Sequence, residues 1–318
     1  FRRVLFRSGA VTIPSGNLNL SGSFTQTGSG SVCFGGTIQT QGSIAFGGVL
    51  TVTGTTTLQG TNGISITGSI APSSGNPDLT LDAGSHSLAA IFKTSAENSF
   101  GALTIKASDF ALQGNLYSNT SIYIEPPMTI SANTVVSSLG GYGGIAFAKS
   151  VLATQGNLSL EVDAAYGAVD VENLGKDLPL GKISLTGTTI VLRGNMSSTA
   201  SIILKGETTI NTSIAIQGDQ GIDLEGSLAP STYPFDLSLT AKSGAIKTKM
   251  LGIAEDDQTT AKPLGNVSFS GGNITTGTFA IAESCSVTLA GAEAPIYGPC
   301  NLSSYCEYPA YTYPSIAQ

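Results

Sequence analysis

The chain has 318 residues, only 11% of them charged, 41% hydrophobic, with 40 Gly, no Trp and a formal net charge of −7. Ordinary soluble domains carry roughly 25% charged residues, so the surface must be built mainly from Ser, Thr, Asn, Gln and Gly. There is no basic run of five or more residues, which argues against nucleic acid as a partner and against docking on anionic membranes. No stretch reaches the roughly 18 apolar residues of a spanning helix, so membrane insertion of this segment is not expected.

In chain order, Phe1-Arg2-Arg3-Val4-Leu5-Phe6-Arg7-Ser8 lacks the apolar core and cleavage site of a signal peptide. It looks like one reading frame of a sequencing adapter, and residues 1–8 are read as a non-native leader on a fragment. From Val11 onward the chain runs as short alternating segments such as Asn17-Leu18-Asn19-Leu20, Ile64-Ser65-Ile66-Thr67, Leu103-Thr104-Ile105-Lys106 and Lys182-Ile183-Ser184-Leu185, separated by Gly, Asn, Ser or Pro. Period-2 alternation rich in β-branched residues is the strand signal, and no 12-residue window carries a 3.6 period. An all-β chain is expected.

These strands repeat. Ile38, Leu116, Met196 and Ile274, each the third residue of a Gly-led run, are spaced by 78, 80 and 78. The pairs Leu79-Leu81, Leu158-Leu160 and Leu237-Leu239 keep a spacing of 79, and Gly63-Ile64, Gly144-Ile145 and Gly221-Ile222 are spaced by 81 and 77. A fixed period in short strands with few aromatics predicts a β-solenoid rather than sandwiches or propeller blades. Each repeat of about 80 residues would hold three or four coils of roughly 20–25 residues, with parallel strands stacked coil on coil and Gly and Asn at corners needing φ > 0. Residues 9–292 are expected to form one continuous solenoid, in copies at roughly 9–62, 63–143, 144–220 and 221–292. Leu174–Leu180 and Leu251–Leu264 break the rhythm and read as side loops. Residues 293–318 form an irregular Pro/Tyr/Cys tail that is a cap, a linker or the start of another module.

Candidate chemistry is sparse. His86 is the single histidine and reads as a surface-turn residue, because the matching positions in later copies, Ala165-Tyr166-Gly167 and Lys242-Ser243-Gly244, lack it. Glu255-Asp256-Asp257 and the group Asp219, Asp223 and Glu225 are the acidic clusters; solvated charge is favoured over a Ca²⁺ site or a glycosidase pair. Cys33 and Cys285 read as small apolar ladder residues. Cys300 and Cys306 could close a short disulfide or stay free. The threonines at 51–57 suggest an ice-binding array, but later copies do not keep the register. No catalytic, cofactor or metal set is expected, and the chain is read as a non-enzyme.

The starts Leu180-Gly181-Lys182-Ile183-Ser184-Leu185 and Leu264-Gly265-Asn266-Val267-Ser268-Phe269, the Gly-Ile runs at 63–70 and 221–228, and Thr56-Thr57-Leu58 and Thr208-Thr209-Ile210 resemble the repeats of filamentous-haemagglutinin-type bacterial surface adhesins. The resemblance spans about 9–292. It implies a right-handed parallel β-helix exported across a Gram-negative envelope with an outer-membrane secretion partner, located extracellularly or at the cell surface, and attaching to glycans or proteins of host cells or of other bacteria. A carbohydrate-active β-helix enzyme, lyase or hydrolase, and an autotransporter passenger are the alternatives.

Overall fold

A computed structural model describes residues 4–6, 11–232, 234–252, 262–282, 286–289, 305–308 and 311–313. There is no helix among the described residues, and parallel strands stack as a β-solenoid of about 12 turns in all. The chain divides into two compact units, Phe1–Thr154 with Val162–Gly167, and Gln155–Glu161 with Ala168–Gln318.

In the first unit each turn lays down three short strands, and each strand pairs with its counterpart one turn away. The strand Val32–Thr40 serves two stacks, changing direction where its register slips between Phe34 and Gly36. In the first stack Val32, Leu50, Ile70 and Phe92 follow one another. The second runs Ile38, Leu58, Leu81, Ile105, Ile124 and Phe147. The third runs Phe24, Ile44, Ile64, Leu88, Phe110, Met128 and Val151. Every one of these side chains is buried. The alternation puts them all on the inner side, where each ladder of like residues removes apolar surface from water. Turn length is not constant: within the third stack the step from Phe110 to Met128 is shorter than the step from Ile64 to Leu88.

The second unit repeats this plan. Its stacks run Ile183, Ile202, Ile222, Ile246 and Ile274; then Leu192, Ile210 and Pro230; then Met196, Ile216, Leu239 and Phe269. The loop at 174–180 is anchored at both ends by buried leucines, Leu174 and Leu180; Leu251 and Leu264 are buried as well, and residues 253–261 between them lie outside the described residues. Between the first two, Lys176, Asp177 and Leu178 are exposed. Within the tail, Tyr305–Tyr308 and Tyr311–Tyr313 pair antiparallel with Asn273–Ala282, against the parallel rule elsewhere.

The sequence period and the structural turn do not coincide. Four turns from Ile38 lead to Ile124, whereas the sequence period leads from Ile38 to Leu116, one stack short, and Leu116 pairs with Val136 instead. Ile64 and Ile145 behave alike: Ile64 belongs to the third stack and Ile145, paired with Ile122, to the second. In the second unit, Leu160, whose N–H donates to the Lys182 carbonyl, lies in the first stack and Leu237, paired with Ile214, in the third. Each copy steps back by one stack. The last copy does not, because the turn from Leu239 to Phe269 is longer than those before it in its stack and Ile274 falls in the first stack.

One expectation is corrected. Cys33 alternates with Val32 and Phe34, both buried, so its thiol points outward, half-buried, rather than into the ladder. Cys285 lies outside the described residues.

Candidate binding surfaces at the turns

The polar residues that recur with the period are spent on the turns themselves. Two residues after each of Ile38, Leu116, Met196 and Ile274 stands a hydroxyl, Thr40, Ser118, Ser198 and Thr276, and all four are buried. Ser118 donates to the Gly101 and Ser121 carbonyls and accepts from the Thr120 N–H. Ser198 makes the same set with Gly181, Ser201 and Ala200. A turn packed against its neighbour has carbonyls that water cannot reach, and the buried hydroxyl satisfies them.

The Leu-Gly starts have an equally local meaning. Phe100, Leu180 and Leu264 are fully buried. The glycine that follows passes close to the turn before it: a Cβ on Gly101, Gly181 or Gly265 would lie 2.3, 2.4 or 2.5 Å from Asp78, Asn157 or Asp236. The next N–H is then captured by a side chain of that turn, Ala102 by Asp78 at 2.7 Å, Lys182 by Ser159 at 3.1 Å and Asn266 by Asp236 at 2.7 Å. These caps were missed in the sequence, although Asp78, Ser159 and Asp236 keep the period.

The predicted acidic group is dispersed. Asp219 accepts from Lys242 Nζ at 2.8 Å and from Gln217 at 3.3 Å. Its carboxyl is held below the usual carboxylate range, chiefly by the Lys242 hydrogen bond, against a smaller opposing effect of burial. Asp223 faces Lys247 across the parallel pair. Glu225 lies 3.7 Å from Lys205, both about half exposed. Glu225 does line a concavity with Lys205, Glu207 and Lys249, floored by Gly206 and Gly226; Asp219 and Asp223 are not among its lining residues. Glu255, Asp256 and Asp257, Cys300 and the side chain of Cys306 lie outside the described residues.

His86 sits exposed in a turn closed by its N–H to the Ala83 carbonyl at 3.1 Å. Ser87 and Ser108 both donate to Asp109 Oδ2 at 2.8 Å. The hydroxyl thus reaches the carboxylate directly, whereas a hydrolytic triad places an imidazole between them.

The first unit also presents a pair of aromatic turns that sequence reading did not single out. Gly140–Gly143 and Ala164–Gly167 each close with an N–H to carbonyl bond from last residue to first, of 3.4 and 2.6 Å. The second residue of each is left-handed, Gly141 at φ +57° and Ala165 at φ +48°. The third is a tyrosine, Tyr142 at 93% and Tyr166 at 70% exposure. A Cβ on Gly167 would fall 2.0 Å from the Gly143 carbonyl, so the two turns lie directly one on the other. A Cβ on Gly140 would fall 2.1 Å from the Asn119 carbonyl, which places exposed Asn119 and Thr120 on the adjoining turn. The sequence signal was small-small-Tyr-Gly, at 140–143 and again at 164–167.

No protein-family model, curated protein or solved structure matches this chain. Its geometry is therefore the ground for any functional reading. Among the described residues no group of three or more His, Cys, Asp or Glu could hold a metal ion.

Proposed function

We propose that this chain is a structural and adhesive segment of a large secreted bacterial surface protein, attaching to glycans or proteins on host cells or neighbouring bacteria. The reading is supported by one observation above others: hydroxyls that recur with the period, as at Ser118 and Ser198, are buried and hydrogen-bonded inside the turns, where they serve the stacking of the coil. Selection for a repeated scaffold leaves that pattern, since each turn need only stack on the next. Contact with partners then falls to individual turns and loops, where exposed side chains are free to vary. The resemblance to haemagglutinin-type repeats adds export through an outer-membrane secretion partner and a place at the Gram-negative cell surface.

Beads coated with the purified chain should adhere to epithelial cells or bacteria several-fold better than albumin-coated beads. Equal retention of the two would contradict the reading. A second reading, a polysaccharide-cleaving enzyme, is favoured by Glu207 and Glu225 sharing one concavity, because paired carboxylates are the glycosidase requirement.

A further inference from the structure

We infer that the stacked turns carrying Tyr142 and Tyr166 form a platform for a neutral oligosaccharide, the rings meeting the apolar faces of pyranose units. The inference rests on the adhesive reading and names its ligand class.

These rings are the most exposed large aromatic side chains among the described residues: Phe24, Phe34, Phe46, Phe100, Phe110 and Phe147 are fully buried, and Tyr123 is 40% exposed. Tyr142 and Tyr166 stand at equivalent places in two turns in direct contact, about one strand spacing of ~4.8 Å apart along the stack. The two exposed rings therefore project from adjoining turns, as one patch rather than two scattered residues. A phenol combines an apolar face with a hydroxyl that donates and accepts, which suits a sugar ring with apolar C–H and polar O–H groups.

The surroundings narrow the ligand further. Asn119 and Thr120 on the adjoining turn supply uncharged donors and acceptors. The carboxylate at the foot of the second turn, Asp163, is engaged by the Ala165 N–H at 2.8 Å. A protein partner fits less well: two rings offer about 150–250 Å² each, against roughly 800 Å² per side in a stable protein interface. The second turn also holds Ala165 in a left-handed conformation that costs an alanine about 1–2 kcal/mol, and that glycine supplies without strain at position 141. This cost is tolerated at a turn whose distinguishing product is an outward tyrosine.

The chain contains no Trp, so Tyr142→Trp places a single reporter in the platform. Cellohexaose, maltohexaose and chitohexaose would be titrated into this variant by fluorescence, and into the native chain and the Tyr142→Ala/Tyr166→Ala variant by calorimetry. At least one neutral hexasaccharide should shift the Trp emission and bind the native chain. The double alanine variant should bind it about tenfold or more weakly at an unchanged thermal midpoint. Absence of binding by all three sugars, or equal binding by the double variant, overturns the platform. The bead assay separates the two levels: if the double variant adheres as well as the native chain, the platform fails and the adhesive reading stands. If native beads do not adhere, the adhesive reading fails, and the titration alone decides the platform.

Discussion

A buried hydroxyl with three backbone partners stands at Ser118 and again, one period on, at Ser198. Ser198 joins the Gly181 carbonyl of one turn to the Ser201 carbonyl and Ala200 N–H of the next corner. Ser198→Ala would leave those groups buried and unpaired. We expect it to lower unfolding free energy in urea by about 1–3 kcal/mol, while Thr212→Ala, at an exposed position, stays within about 0.5 kcal/mol. An equal effect of the two substitutions would remove this role for the serine. The hydroxyl was legible in the sequence as a Ser or Thr two residues after Ile38, Leu116, Met196 and Ile274. Its significance was not, because in a chain so rich in Ser and Thr nothing in composition separates a buried hydroxyl from a surface one.

Among the elements, the strands were the most legible part of the molecule. Alternation alone placed Ile44, Ile64, Leu88 and Phe110 inward, and the structure stacks them in one ladder. The same alternation, followed through Val32 and Phe34, turns Cys33 outward; reading it as apolar by residue type rather than by phase led to the wrong side. Corners were legible where glycine is required. Gly114, in the second Gly-led run, has φ +92°, and a Cβ there would lie 2.4 Å from the Phe92 carbonyl. Gly114→Ala should therefore destabilise the chain by about 2 kcal/mol or more, combining a disfavoured backbone with a backbone clash. Gly16 has nothing within 4 Å of the added carbon, so Gly16→Ala should be neutral or slightly stabilising. Thermal melts of the two variants check the pair, and a tolerated Gly114→Ala would show that the corner is misdrawn. The motif of the tyrosine turns stands in the sequence, but their adjacency was illegible because they meet only through stacking. Tyr142 and Tyr166 are one turn apart, and the length of a turn, which varies within this unit, is not written in the repeat period.

At the level of the molecule, the mismatch between period and turn has a geometric consequence. A copy that steps back by one stack presents the same sequence feature on successive faces of a unit, as Ile38 and Leu116 do. A residue repeated at the sequence period therefore does not line up into one continuous face; outward ladders arise from turn-by-turn pairing instead, as Thr37, Thr57, Thr80 and Thr104 do in the second stack. The adhesive reading proposed above expects retention of a polymer, and the enzymatic alternative expects its processing along a groove. The measurement that separates these most directly is incubation of the chain with neutral and uronate polysaccharides, reading retention by co-sedimentation and polymer length by size-exclusion chromatography. We predict retention of at least one neutral polymer with its length unchanged and no new reducing ends or unsaturated uronates. Shortening of any polymer by the native chain, abolished in Glu207→Gln/Glu225→Gln, would contradict the adhesive account and identify the chain as an enzyme.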